Sequence, residues 1–331
     1  MRPFTHSNAG TVKEACKLLA KYDGRAVLNA GGTDFLGTLK GENLFDYPEA
    51  VVNIKTIAGL DKIMESKGTL RIGALTKLSA IVNSPLLNER YPAFAEAART
   101  VATPQIRNAA TIGGNLCQDV RCWYYRYPRH IGGPIQCARK GKGPCLAVKG
   151  DNRYHAVMGA KKCFAVCPSD TAVALAALDG QISIVGKEGE RKIAVTEFFN
   201  PLGNNLGRGE MVTGVEVPSV VDQSKQTFLK FTLRKPVDFA IVSVATVITV
   251  KGGACTDARI ALGAVAAGPI RASKAEKMLV GRPVDEKAAA DAAEAALAGA
   301  KPLSMNAYKI EIAKTLVKRA ILQGQERPGS V

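Results

Sequence analysis

The chain has 331 residues, a length that favours two or three domains, and 47% of them are hydrophobic, which is enough to fill buried cores. It contains no apolar run long enough to span a membrane and begins without a secretory signal, so we expect a cytoplasmic protein. The formal charge is +16, and half of it lies between Cys117 and Pro168, where ten Lys or Arg oppose Asp119 and Asp151 for a net of +8. Because no nucleic-acid-binding motif accompanies this basic patch, we expect an acidic protein partner there and no nucleic acid.

Helix and strand patterns alternate through the first half of the chain. A capping box of Thr11 and Glu14 opens the first helix, and Lys67 with Gly68 marks the turn of a hairpin. Hydrophobic periodicity predicts the other elements, which are strands over 25–30, 50–54 and 181–185 and helices over 91–102 and 170–178.

A polar stretch at 218–226 predicts a boundary before a C-terminal domain. Beyond it, three apolar segments predict an antiparallel meander, and helices follow at about 272–280 and 285–300. A last helix is predicted by the apolar face of Ile310, Ala313, Val317, Ala320 and Ile321. Runs of strands followed by runs of helices predict an α+β protein. We therefore divide the chain into domains of residues 1–222 and 223–331.

Two glycine pairs flanked by polar side chains are candidate ligand-binding turns. The first lies in "AGGTDF" (30–35), directly after an apolar strand, and the second lies in "ATIGGNL" (110–116) between Thr111 and Asn115. Without Cβ atoms the backbone amides can approach a phosphate closely, so the two turns together suggest the two sides of a pyrophosphate. Two tight structural turns are the alternative.

Four motifs carry a resemblance to a known family, and they occur in the family's order. They read "NAGGTDFL", "PQIRNAATIGGNL", "CPSDTAVALAALDG" and "LKFTLRKPVDFAIVSVA". Over nearly its whole length the chain resembles the FAD-binding medium subunit of the xanthine dehydrogenase family of molybdenum hydroxylases. The resemblance implies a vanillyl-alcohol-oxidase-type (PCMH-like) FAD-binding domain of two α+β subdomains, about 1–56 and 57–222. A smaller α+β domain of the CO dehydrogenase flavoprotein type would follow, with a three-stranded antiparallel sheet and helices.

The same resemblance assigns residues to FAD. The pyrophosphate would contact Ala30, Gly31, Gly32, Thr33, Asp34 and Phe35 on one side and Thr111, Gly114 and Asn115 on the other. Ser169 and Asp170 would bind the ribityl or pyrophosphate region. Leu206 would pack near the adenine, and Lys230 would lie near the isoalloxazine, where a cation can stabilise the reduced flavin. From the residues alone, Leu206 is an ordinary core residue and Lys230 a solvated strand lysine.

Six of the eight cysteines lie between residues 117 and 167. Without an export signal, metal binding is favoured over disulfides. One candidate set shares a Gly- and Pro-rich loop that a metal could organise, and it consists of Cys122, Cys137, Cys145 and Cys163. The rival is a zinc site whose thiols come in two close pairs, Cys117 with Cys122 and Cys163 with Cys167.

Some members of the family that the chain resembles carry an inserted loop at this place, about 117–168, with a [4Fe-4S] cluster. They include the flavoprotein subunits of 4-hydroxybenzoyl-CoA reductase and of related aldehyde oxidoreductases. The resemblance implies that Cys122, Cys137, Cys145 and Cys163 are the ligands and that Cys117 and Cys167 are neighbouring thiols. Because four thiolates satisfy such a cluster, we expect His130 and His155 to be structural.

The resemblance implies an electron-transfer subunit of an oxidoreductase. The residues agree with this role, because no substrate-transforming site is recognisable in the sequence. Its partners would be a large molybdopterin-binding subunit and a small subunit with two [2Fe-2S] clusters, in a dimer of heterotrimers. The external carrier would be an acidic ferredoxin-like protein or NAD. Two alternatives stay open, a hydroxylase flavoprotein subunit with a structural cluster that reduces NAD or oxygen, and a zinc- and nucleic-acid-binding protein.

Overall fold

The structure is a computed structural model that describes residues 1–220, 224–235 and 237–324. Its first part is a three-stranded parallel sheet in the order β1-β3-β2, with two helices. The elements are β1 (Thr5–Asn8), α1 (Val12–Lys21), β2 (Ala26–Asn29), α2 (Phe35–Gly41) and β3 (Ala50–Asn53). The predicted N-cap is confirmed, because the Glu14 amide donates to Thr11 Oγ1 (3.1 Å). The Glu14 carboxylate accepts from the amide of Gly10 (2.8 Å), one residue before the cap, and so differs from the reciprocal bond of a standard capping box.

A five-stranded antiparallel sheet follows, in the order β4-β5-β10-β6-β7. Its turn at Lys67 and Gly68 is confirmed, with φ of 51° and 71°. The strands up to residue 218 are β4 (Ile63–Ser66), β5 (Thr69–Gly73), β6 (Gln181–Gly186), β7 (Gly189–Ala194), the short pair β8 (Phe199–Asn200) and β9 (Gly203–Asn204), and β10 (Met211–Pro218). The helices are α3 (Leu78–Asn83), α4 (Pro85–Arg90), α5 (Pro92–Arg99), α6 (Pro104–Arg107), α7 (Ile112–Cys117), α8 (Asp170–Ala177) and α9 (Val195–Phe198).

The segment between α7 and α8 contains five of the six clustered cysteines, and we call residues 118–169 the cysteine loop. Its helical structure is limited to three 3₁₀ turns, at Arg129–Ile131, Ala138–Lys140 and Leu146–Val148. A small core of its own includes the buried side chains of Val120 and Tyr125. The loop is therefore an ordered insertion with little regular structure, whose shape depends on side-chain contacts.

The C-terminal part is an antiparallel sheet in the order β11-β12-β13-β14, covered by helices. The elements are β11 (Ser224–Phe231), β12 (Val242–Lys251), β13 (Ala254–Gly263), β14 (Ile270–Arg271), α10 (Ser273–Leu279), α11 (Glu286–Ala296) and α12 (Tyr308–Leu322). The two-residue β14 adds a fourth strand to the three that were predicted. The architecture confirms the α+β fold class.

Helix α8 connects the two parts of the molecule, because it is buried along its whole length and packs on α5, β12 and β13. The predicted domain bounds stay a prediction: residues 221–223 at the boundary, and 325–331 at the end, lie outside the described residues. No helix in the described part of the chain is both long and apolar enough to cross a membrane.

Candidate functional site

The two glycine turns meet in a cleft of about 570 Å³ whose walls come from both the first and the second sheet. The turns touch so closely that a Cβ on Gly31 would collide with the carbonyl oxygen of Ala109. A Cβ on Gly113 would lie 2.9 Å from the Cβ of Ala74, and Gly32 has a φ of +70°. These positions therefore require glycine, and the bare backbone is presented to whatever occupies the cleft.

Most of the residues assigned to FAD line this cleft. They are Ala30, Gly31, Gly32, Thr33, Asp34, Phe35, Thr111, Gly114 and Leu206. Sequence reasoning gave no role to Asn29 or Asn204, which line it too. The Oδ1 atom of Asn29 is buried and has no hydrogen-bond partner within the described chain, as expected of a polar atom that awaits a ligand. The sequence could have predicted a role for Asn29, because it lies just before the first glycine pair. It could not have done so for Asn204, which lies in the β8–β9 hairpin, far away in sequence.

Asn115 and Ser169 lie outside the lining of this cleft, in a buried polar cluster behind it. Asn115 Oδ1 accepts hydrogen bonds from Ser169 Oγ and Thr171 Oγ1, both at 2.6 Å. Ser169 Oγ also accepts from the amide of Ala172 and so caps α8. These side chains fix the start of α8 against α7, the helix that contains the second glycine pair.

Lys230 and Asp170 form a buried ion pair of 2.7 Å, with side chains that are 6% and 5% exposed. Lys230 also donates to the carbonyl of Thr100 at 2.8 Å. Burial raises the pKa of Asp170, while the Lys230 charge opposes that rise. Neither residue lines the cleft, and Lys230 is not a solvated strand lysine: it ties β11 to α5 and α8.

The carboxylate of Asp34 connects the first glycine turn to the cysteine loop. Its Oδ1 lies 3.0 Å from Arg121 Nη1 and 2.8 Å from Arg126 Nη2, and its Oδ2 accepts from the amide of Asp119 at 2.9 Å. The Arg121 guanidinium also lies over the Phe239 ring, 4.6 Å from its centroid, and burial lowers the pKa of Arg121 to about 10. The Asp34 carboxylate therefore bonds to the cysteine loop, and a network of ion pairs and hydrogen bonds joins the first glycine turn to that loop.

The four thiols predicted as cluster ligands are brought together inside the loop. Cys145 and Cys163 lie close enough to influence each other's ionisation, and the interaction lowers the pKa of Cys145 and raises that of Cys163. Cys122 lies within electrostatic range of Cys145 and Cys137, and burial raises its pKa to about 11. Cys137 and Cys163 are buried, and both belong to the small core of the loop.

The remaining cysteines lie outside this group of four. Cys117 and Cys167 line a second cleft of about 330 Å³, which shares Cys117, Gln118, Asp119 and Asn204 with the first. Cys16 and Cys255 belong to two other hydrophobic cores. All eight thiols are free.

No three His, Cys, Asp or Glu side chains in the described ranges are arranged to hold a single metal ion. The ligands of a four-iron cluster stand farther apart than those of one ion, so the fit depends on the chemistry of the donors. Four cysteine thiolates are the usual ligand set of a [4Fe-4S] cluster. The four neighbouring thiols of the loop fit that requirement.

His155 has a place that the sequence did not predict. Its Nε2 lies 3.3 Å from the sulfur of Cys122, and its ring packs edge-on against Trp123 with centroids 5.7 Å apart. Burial, with a smaller effect of Lys309, lowers the pKa of His155 to about 4. His130, by contrast, is exposed.

Two known protein-family domains together match almost the whole chain. Residues 2–220 match the FAD binding domain in molybdopterin dehydrogenase, and residues 227–323 match the CO dehydrogenase flavoprotein C-terminal domain. The chain belongs to this family. It is an FAD-binding medium subunit of the xanthine dehydrogenase and CO dehydrogenase group of molybdenum hydroxylases.

Individual relatives are similar in sequence to this subunit over almost its full length. The aldehyde oxidoreductase FAD-binding subunit PaoB of Escherichia coli is 31% identical, over 98% of this chain and 99% of the relative. The carbon monoxide dehydrogenase medium chain of Hydrogenophaga pseudoflava is 28% identical over 96% of each chain.

Solved structures show the same agreement. Carbon monoxide dehydrogenase from Hydrogenophaga pseudoflava superposes with a TM-score of 0.78 at 27% identity, over 98% of each chain. Quinoline 2-oxidoreductase from Pseudomonas putida 86 gives 0.76 at 26% identity, over 98% of this chain and 97% of that one. The predicted family, fold class and role as an oxidoreductase subunit are confirmed, and FAD binding is supported.

Proposed function

We propose that this subunit carries electrons through two cofactors, FAD in the cleft and a [4Fe-4S] cluster held by Cys122, Cys137, Cys145 and Cys163. The observation that supports this most directly is the gathering of four thiols in a loop whose Arg121 and Arg126 bind Asp34 of the FAD turn. The loop thereby connects the two cofactor sites. This ligand set would place the chain among the [4Fe-4S]-containing flavoproteins, such as the 4-hydroxybenzoyl-CoA reductase subunit.

The residues of the cleft bind and orient FAD. The backbone of Ala30–Phe35 and of Thr111–Gly114 holds the pyrophosphate, and Leu206 packs against the adenine. Asn115, Ser169 and Asp170 act from behind the cleft by fixing α7 and α8, and Lys230 neutralises the buried charge of Asp170. The flavin supplies an exchange between two-electron partners and one-electron iron–sulfur centres.

The subunit would work between two partner subunits and an external carrier. A large molybdopterin-binding subunit transforms the substrate, and a small subunit with two [2Fe-2S] clusters exchanges electrons with this chain. Together they would form a dimer of heterotrimers. The conversion of substrate is therefore not expected of this chain when it is isolated.

The surface of the cysteine loop favours an acidic protein as the external carrier. Four exposed lysines of the loop form no ion pair with any described residue, and they are Lys142, Lys149, Lys161 and Lys162. A concentrated positive surface attracts an acidic protein from a distance and orients it on encounter. This supports a ferredoxin-like carrier more strongly than NAD.

The test is a cofactor analysis of the full chain and its cysteine variants. We expect one FAD and four irons per chain and an iron–sulfur absorption beside the flavin bands. Serine at any one of the four proposed ligands should reduce iron severely while FAD stays bound. The matched controls Cys16→Ser and Cys255→Ser, at buried thiols far from the loop in sequence, should keep both cofactors. Iron loss in Cys167→Ser but not in Cys163→Ser would contradict the ligand set, and zinc in place of iron would contradict the redox role.

A further inference from the structure

His155 presents a hydrogen-bond donor to one proposed cluster ligand. The residue is 3% exposed, and its Nε2 lies 3.3 Å from the sulfur of Cys122. Its other nitrogen, Nδ1, is buried without a partner among the described residues. A proton on Nδ1 would leave a buried N–H group unpaired, which costs more than an unpaired lone pair. The arrangement therefore favours the proton on Nε2, where it points at the sulfur.

The backbone amides of Tyr124 and Tyr125 favour the ionised form of Cys122, because both lower the pKa of its thiol. His155 adds the one side-chain nitrogen that the structure places within hydrogen-bond distance of this sulfur among the described residues. Hydrogen bonds to ligand sulfur stabilise the more negative, reduced state of an iron–sulfur centre and so raise its reduction potential. We propose that His155 is a positioning residue that raises the reduction potential of the [4Fe-4S] cluster through an Nε2–H···Sγ hydrogen bond to Cys122.

The C-terminal domain holds this donor in place. The carbonyl of His155 accepts from Asn306 Nδ2 and from Lys309 Nζ, both at 3.1 Å. Its ring is packed against Trp123 and lies 6.2 Å from the centroid of Tyr124. The backbone is thus fixed by residues at the start of α12 and the ring by neighbours of Cys122. Contacts from the C-terminal domain thereby hold His155 in the position from which it bonds to Cys122, a proposed ligand in the FAD-binding domain.

The inference rests on the proposed function, since it requires the cluster, and the experiment separates the two. The full chain and its His155→Phe, His155→Gln and His130→Phe variants are compared by iron content and by EPR-monitored redox titration. His155→Phe keeps an aromatic ring but no donor, so its cluster should assemble and be harder to reduce. A tenfold change in the reduction equilibrium corresponds to about 59 mV for one electron. His155→Gln, which keeps an N–H group, should recover most of the potential, and the exposed control His130→Phe should not change it.

Each outcome has a separate meaning. A wild-type chain without iron would overturn the proposed function itself. A wild-type cluster together with an unchanged potential in His155→Phe would overturn this inference alone. Pulsed EPR of the wild-type cluster covers the case in which that variant does not fold. A weak coupling to an imidazole nitrogen is expected across the hydrogen bond, whereas no coupling, or the strong coupling of a directly bound nitrogen, would overturn the inference.

Discussion

The FAD cleft and the cysteine loop are built on opposite principles. The cleft is lined by regular strands and by glycine backbone, and its shape follows from sheets that exist without a ligand. The loop has only 3₁₀ turns, and its order comes from a small core, from arginine side chains and from four thiols. The cleft should therefore keep its shape when it is empty, whereas the loop should depend on the proposed cluster.

Substitution in the first glycine turn should remove FAD and leave the proposed cluster in place. A Cβ at position 31 would collide with the Ala109 carbonyl, and overpacking of this kind costs about 1–3 kcal/mol. Gly31→Ala should therefore bind FAD at least tenfold more weakly, measured by flavin content and FAD titration, with an unchanged iron content.

The control for this variant is Gly37→Ala in α2, where an added Cβ meets nothing within 4 Å. Alanine is favoured over glycine by roughly 0.5–1 kcal/mol inside a helix, so the control should keep FAD and be slightly more stable. Loss of iron in Gly31→Ala at full stability would contradict the expectation that the proposed cluster persists when FAD is lost.

Asp34→Asn should break the link between the two regions. The substitution removes the negative charge that Arg121 and Arg126 share, and each hydrogen bond to a charged group contributes about 1.5–3 kcal/mol. We expect faster proteolysis within residues 117–168 and lower iron content, with a smaller loss of FAD. The exposed pair of Asp23 and Arg208 supplies the control, because Asp23→Asn should cost less than about 1 kcal/mol. Loss of FAD with full retention of iron would instead give Asp34 the direct pyrophosphate contact that the family resemblance implies.

The sequence predicted best what depends on local backbone chemistry. The strands at 25–30, 50–54 and 181–185 are present within about one or two residues, because apolar runs between turn residues are short-range signals. The glycine pairs predicted the cleft because they too are short-range signals, which mark turns where the backbone can approach a ligand. Helices such as α3 and α6 escaped prediction because four to six residues are too few to show a helical period.

Side-chain partners distant in sequence could not be predicted. Lys230 bonds to Asp170 and to Thr100, which are 60 and 130 positions away, so no spacing rule could connect them. The same holds for His155, which meets Cys122 across 33 residues and Lys309 across 154. The sequence showed the chemistry available in the cysteine loop, but only the fold shows which side chains meet.

Lys309 should make the anchoring of the cysteine loop depend on pH. Its ammonium is buried in α12 and donates to the carbonyls of Tyr154, His155 and Ala264. Burial lowers the pKa of Lys309 from its ordinary 10.5 to about 7. Between these values the unfolded chain binds a proton that the folded chain does not, so stability should rise with pH, by at most about 1.4 kcal/mol per pH unit.

Denaturant unfolding at pH 7, 8 and 9 measures this slope. Lys309→Met should be less stable, because the carbonyls around Nζ lose the nitrogen that donates to them, and its stability should rise less steeply with pH. Subtracting the variant from the wild type removes the shared titration of the thiols, and His155 is already neutral in this range because its pKa is about 4. The exposed Lys301→Met should keep the wild-type slope. Equal slopes in wild type and Lys309→Met would contradict a lowered pKa of Lys309.

The smallest effect is expected from the charged surface of the loop, and it concerns rates rather than cofactors. Lys161 and Lys162 are exposed and directly precede the proposed ligand Cys163. Reversing both charges should leave FAD and iron unchanged and slow the reduction of an acidic ferredoxin by about tenfold at low salt, because electrostatic steering acts on association. The difference should disappear near 1 M salt, where charges are screened within about 3 Å. Reversal of Lys251 and Lys277, on β12 and α10, makes the same change in net charge. If it slows the reaction equally, the positive surface of the loop is not the docking site, and reduction of NAD becomes the activity to measure.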